Sequence, residues 1–162
     1  MKYLKYIKNL DPCAKNILYI LLFYPGVHAL INYRIAHFFI RIKLNFIAEF
    51  ISYLSRLFTG IEINPNCTIG KYLFIDHGMG VVIGETAVIG DYCTIYQGVT
   101  LGANKLDKKK RHPTIKNNVI IGANAVVIGN ITIGNNVKIG ANAIVTKNIN
   151  DNSVIIGTNK KI

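Results

Sequence analysis

From Ile61 onward the chain repeats itself every six residues. An aliphatic residue, often followed by glycine, recurs at Ile63, Ile69 and Ile75. It resumes after a two-residue slip at Ile83, Ile89, Ile95 and Leu101, and runs again through Ile115, Ile121, Val127, Ile133, Ile139 and Val145. Four residues after most of these stands a second small or apolar residue: Cys67, Leu73, Met79, Ala87, Cys93, Val99, Val119, Ala125, Ile131, Val137, Ala143 and Ile149. Neither the 3.6-residue period of a helix nor the two-residue alternation of a strand yields this spacing. A six-residue period is the signature of a parallel β-helix, in which each hexad supplies a short strand and a turn and three hexads close a triangular coil. Asn118, Asn124, Asn136 and Asn142 fall at the turns, where a left-handed backbone suits glycine first and asparagine next. About five coils are expected.

Residues 1–60 follow a different grammar. "DPCAKNILYILL" offers Asp11 as a helix N-cap and Pro12 as the first helical residue. Pro25 and Gly26 interrupt that pattern, "GVHALINYRIAHFFIRIK" resumes it, and "NFIAEFISYLSRLFTG" gives a third helix ending at Gly60. Apolar residues surround much of each helix, which points to packing on one another and on a partner subunit. The expected class is α+β: a helical domain over 1–60, then a parallel β-helix over 61–162 with one protruding loop.

A formal charge of +11 admits nucleic acid, a membrane surface or a phosphorylated small molecule as a partner. No nucleic-acid motif accompanies the charge, so nucleic acid is not expected. The apolar run "ILYILLFY" at 17–24 is too short to span a bilayer, and no membrane association is expected. Three cysteines without metal-type spacing read as core residues of a cytoplasmic protein.

Side chains inside a solenoid are committed to stacking, so function belongs where the rhythm breaks. The first break, between Ile75 and Ile83, holds Asp76, His77, Gly78, Met79 and Gly80; the second, from Gly102 to Thr114, holds a basic run ending Arg111-His112-Pro113. Two of the four histidines, His77 and His112, sit at these breaks, while His28 and His37 lie in the helical half. Glu62 precedes His77 by close to one coil length, which puts a carboxylate beneath an imidazole. That arrangement fixes a tautomer and strengthens a general base; a solvated acid at a domain junction is the other reading of Glu62.

The segments "LDPCAK", "FYPGVHALINYRIAHFF", "GIEINP", "IDHGMGVVIGETAVIGD", "GVTLGANK", "KKRHPTI" and "VTKNI" together resemble the serine O-acetyltransferase family, over essentially the whole chain from Asp11. The resemblance implies a left-handed β-helix that transfers acetyl from acetyl-CoA directly to the hydroxyl of L-serine, with no metal and no protein nucleophile. It implies His77 as the general base and Glu62 as its orienting carboxylate. Asp11 and Asp76 would meet the serine ammonium, and Arg111 and His112 its carboxylate. Gly102, Ala103, Gly122, Ala123, Lys138, Gly140 and Ala141 match the positions that line the CoA groove between solenoids of a homotrimer. Cysteine is implied as a feedback inhibitor at the serine site.

Three features depart from the family pattern. "GANKL" at 102–106 replaces the usual "GGTGK", Asn64 stands where histidine is usual, and the sequence stops at Ile162 without an extended tail. The N-terminal helical part is also short, so a trimer is expected ahead of a hexamer, and without the tail a cysteine synthase complex is not expected. Lys108 to Lys110 read as a solvated loop. Another hydroxyl acceptor, such as a sugar, remains the alternative; it would need a base like His77 but not the set Asp11, Asp76, Arg111 and His112.

Overall fold

The computed structural model describes residues 2–106 and 108–157; Ile162 and Asp107 lie outside the described residues. Four helices come first: α1 (Lys2–Leu10), α2 (Ile17–Phe23), α3 (Pro25–Arg41) and α4 (Asn45–Thr59). Asp11 does not cap a helix. Its Oδ1 accepts from the Cys13 amide at 2.8 Å, closing a local turn, and α2 begins later under Asn16, whose Oδ1 accepts from Tyr19 N at 2.8 Å. The aspartate side chain captures a nearby amide and so competes with helix initiation. Pro25 opens α3 at a position that needs no amide donor, and Gly60 ends α4 in a left-handed conformation (φ 69°).

Residues 62–155 then wind as a left-handed parallel β-helix of three faces, with five, four and five strands. Ile63 pairs in register with Ile83, Ile83 with Leu101, Leu101 with Val127, and Val127 with Val145. The regular separation of 18 residues, seen from Ile83 to Leu101 and from Val127 to Val145, is exceeded at the two interruptions read from the sequence. Every aliphatic of the six-residue ladder is buried, each contributing roughly 1.5–3 kcal/mol over an exposed side chain.

Met79 does not join that ladder. It is 67% exposed, and Val81 is buried in its stead. The second inward position is set by lying two residues before the next aliphatic, so the slip transfers it from Met79 to Val81. Asn118, Asn124, Asn136 and Asn142 adopt φ near +57°, as their turn positions require.

The helices close one end of the prism. In the first coil the strand amides donate to the coil above, as Glu62 N does to Val81 O at 2.9 Å. Its carbonyls have no coil below them, and helix side chains take their place. Tyr33 Oη donates to Cys67 O (2.7 Å), Arg34 Nη1 to Ile69 O (2.8 Å), His37 Nδ1 to Pro65 O (2.8 Å), Ser52 Oγ to Ile63 O (2.7 Å) and Tyr3 Oη to Leu73 O (2.8 Å). Burying carbonyls without such donors would be costly. Gly26 brings α3 against this coil, since a Cβ there would stand 2.2 Å from Ile75 O. The outer surfaces of α2 and α4 remain apolar, with Leu18, Phe23, Phe46 and Phe58 exposed. No helix among the described residues is long and apolar enough to cross a membrane.

Candidate active site

The chain passes from the third face to the first at the slip, and the backbone there is unusual. His77, Gly78 and Gly80 all take positive φ (58°, 81° and 75°). A left-handed histidine is uncommon, and here it throws the imidazole out of the coil: the His77 side chain is 74% exposed, and Nε2 lies 4.0 Å from Asp76 Oδ1. Asp76 is held in the sheet by its amide, which donates to Ile95 O at 2.9 Å.

Asp11 comes to the neighbourhood of this corner from the α1–α2 connection. Tyr24 Oη donates a short hydrogen bond to Asp11 Oδ2, so both carboxylate oxygens of Asp11 have partners. Burial first, then the bond to Asp11 and the negative charges of Asp11 and Asp76, raise the Tyr24 phenol well above its ordinary range. Tyr24 therefore stays a protonated donor to Asp11. Nothing in the sequence period singles it out.

Glu62 lies in the first strand of the first face, one layer below Val82. Its carboxylate pairs with Arg56 at 2.9 Å, whereas the acid beside His77 is Asp76.

A second cluster forms where the chain passes from the first face to the second. The excursion returns there with Arg111 and His112, and the turn Gly84-Glu85-Thr86 of the preceding coil receives them. Arg111 Nη2 pairs with Glu85 Oε2 at 2.6 Å. His112 is buried, with Nδ1 at 2.9 Å from Thr86 Oγ1 and 3.2 Å from Thr86 N. Its ring lies over Gly84, where a Cβ would stand 2.0 Å from Cδ2 and 2.1 Å from Nε2. Burial, and then the charges of Arg111 and Lys110, lower the His112 pKa from its ordinary 6.5.

Lys110 is not simply solvated. Its Nζ donates to Pro113 O at 3.3 Å and, through a shorter bond, to Thr86 O, pinning the loop end to the same turn. Two carbonyls at close range convert a surface charge into a brace. Gly84, Glu85 and Thr86 keep the six-residue rhythm and so carry no break to mark them in the sequence.

The small residues matched to the CoA groove divide between these corners. Gly122-Ala123 and Gly140-Ala141 stack on the third-to-first corner, the one that carries His77. The Asn142 amide donates to Ala123 O at 2.8 Å, and a Cβ on Gly122 would stand 2.6 Å from Ala141 N. Lys138 is exposed on the third face. Gly102 ends its strand at the other corner, with Ala103 following, and there Asn104 packs over Gly129, whose φ is +101°. On the His77 corner, Gln97 has a buried Oε1 without a hydrogen-bond partner among the described residues.

Cys67 and Cys93 are buried free thiols, pushed by desolvation up to about 12 and about 11, so neither is a ready nucleophile. Among the described residues no three His, Cys, Asp or Glu side chains gather as a metal-binding group.

Comparison with known proteins gives concordant matches. The family "Bacterial transferase hexapeptide (six repeats)" matches residues 112–147, and "Hexapeptide repeat of succinyl-transferase" matches residues 80–104. The chain is 57% identical over 121 residues to a serine acetyltransferase of Synechococcus elongatus, covering 75% of this chain and 50% of the relative. It is 52% identical over 147 residues to that of Bacillus pumilus, covering 91% and 68%. Among solved structures, the Neisseria gonorrhoeae serine acetyltransferase in complex with serine superposes with a TM-score of 0.93 at 37% identity, covering 98% of this chain and 65% of that one. Isoform 3 of Entamoeba histolytica serine acetyltransferase, in complex with cysteine, gives 0.88 at 43% identity, covering 99% and 58%. The chain thus spans about half to two thirds of the length of these relatives.

Proposed function

The chain belongs to the serine acetyltransferase family, and from that premise we propose that it transfers the acetyl group of acetyl-CoA to the hydroxyl of L-serine, releasing O-acetyl-L-serine and CoA. The observation that carries this reading is the Asp76-His77 slip, where a left-handed backbone holds an imidazole out of an otherwise fully committed coil.

A serine hydroxyl is a poor nucleophile until its proton is removed. His77 takes that proton as the oxygen attacks the thioester carbonyl. The carbon–sulfur bond then breaks, and the imidazolium returns its proton to the departing thiolate. Base catalysis of this kind is worth ~10²–10⁴-fold. Asp11 and Asp76 offer carboxylates to the serine ammonium, and Arg111 with His112 offers donors to its carboxylate, the guanidinium in the two-bond geometry suited to that group. Glu62 is the orienting carboxylate of this scheme and would exchange its Arg56 contact for His77. Acetyl-CoA lies along the small residues at Gly122, Ala123, Gly140 and Ala141, with Lys138 near its phosphates and Gly102 and Ala103 lining the opposite wall.

The two clusters occupy different corners of one prism. A homotrimer, in which the Arg111-His112 corner of one copy faces the His77 corner of the next, brings the acids and the guanidinium onto one serine. The apolar outer surfaces of α2 and α4 give copies something to bury. Cysteine, which replaces the serine hydroxyl with a thiol, fits the same subsite as an inhibitor, as solved relatives with bound cysteine suggest. A cytoplasmic location accords with three free thiols.

The test is steady-state CoA release from acetyl-CoA with L-serine, beside a panel of sugars and other hydroxyl acceptors. Serine-dependent release should fall by two orders of magnitude or more in His77→Ala. Turnover on a sugar without serine-dependent release would remove serine as the substrate.

A further inference from the structure

We propose that Thr86 is a positioning residue that locks His112 as a neutral imidazole with its proton on Nε2, so that the carboxylate at this corner is met by one guanidinium and one uncharged N–H donor. The identity of that carboxylate as serine's rests on the reading above; the lock itself does not.

Counting donors and acceptors fixes the tautomer. A backbone amide can only donate, and Thr86 N–H points at His112 Nδ1 at 3.2 Å. Nδ1 must therefore present its lone pair, which leaves the ring proton on Nε2. The Thr86 hydroxyl agrees. Its oxygen accepts from the Arg111 amide at 3.0 Å and the His112 amide at 3.1 Å, so its own proton is directed to Nδ1, 2.9 Å away. One threonine thus anchors the backbone of both loop residues and polarises the ring between them.

The charges facing the ring favour the same state. Arg111 and Lys110 are positive, and burial opposes a third charge. Glu85 acts in the opposite sense, but its carboxylate is engaged by Arg111 at 2.6 Å. Nε2 lies over Gly84, which leaves room for the ring, and it has no hydrogen-bond partner among the described residues. It is the one ring donor left for an acceptor at this corner.

The lock makes carboxylate recognition insensitive to pH above the ordinary imidazole range. With its folded pKa lowered from 6.5, His112 gives up its charge at a lower pH than a free imidazole, so less of the site's charge changes as the pH rises through that range.

The test is long-range proton–nitrogen NMR of the full chain labelled at histidine, with His112 assigned by its loss in His112→Gln. The expected result is an unprotonated Nδ1 and a protonated Nε2 from pH 6.5 to 8, titrating below 6.5. In Thr86→Val the midpoint should rise toward 6.5 and the KM for serine about tenfold, with the KM for acetyl-CoA unchanged. Thr86→Ser should restore both, and the other three histidines report whether each variant is folded. A proton on Nδ1 in the unaltered chain, or a midpoint unmoved in folded Thr86→Val, would overturn the lock. The expected tautomer in a chain without serine turnover would support the lock and remove serine as its ligand.

Discussion

Gly84 offers the sharpest test of how the second cluster is built. Its φ is not positive, so alanine is compatible with the backbone and the only new demand is space for one methyl group. That methyl would lie 2.0 Å from His112 Cδ2 and 2.1 Å from Nε2, and the three nearest atoms all belong to the imidazole. Carbon atoms rest about 3.5–4.0 Å apart, so the ring must retreat by roughly 1.5 Å or more. A displacement of about 1 Å at a positioned group can cost ~10²-fold in rate. Overpacking of this kind usually costs ~1–3 kcal/mol of stability, which a solenoid with a continuous ladder should absorb. Gly84→Ala should therefore remain folded by circular dichroism while kcat/KM for serine falls by about a hundredfold. The control is the double variant. With His112→Ala the obstructing ring is gone, so adding Gly84→Ala should change kcat/KM by less than about twofold, and the two effects should be strongly non-additive. Full additivity, or a Gly84→Ala enzyme with an unchanged kcat/KM for serine, would refute the claim that glycine is needed here for the imidazole.

Two further outcomes follow from the capped end and the core. Tyr33→Phe removes the donor to Cys67 O, leaving a buried carbonyl at the foot of the solenoid unpaired; urea unfolding should show a loss of about 1–3 kcal/mol, with serine turnover at saturation little changed. Thiol titration of the native chain should find one fast cysteine, the exposed Cys13, while Cys67 and Cys93 react only on unfolding, since burial holds both thiols protonated.

The solenoid was legible because its physics is one-dimensional. A residue's burial depends on its phase within six, and that phase is written in the chain, so Ile63 through Val145 could be placed inside without knowing what they touch. Met79 departs from this phase at the slip, where the second inward position has to be counted from the next aliphatic rather than the last. The helical end was less legible. Asp11 carries the same local signal whether it caps a helix or closes a turn, and only the position of Tyr24 shows how its second oxygen is satisfied.

What the sequence determined by itself, then, was the coil, its two interruptions and the residue types placed there: Asp76 and His77 at one, Arg111 and His112 at the other. What only the tertiary structure decided was which partners hold them. The excursion folds back onto the coil before the one it interrupts, so Glu85, Thr86 and Gly84 meet Arg111, His112 and the imidazole ring across about 26 residues of chain, a stacking contact that no periodicity encodes. It also decided that the acids and the guanidinium stand at separate corners. A chain specifies the order of its turns, but the edge of a prism on which each turn lands is set by how many residues every coil consumes.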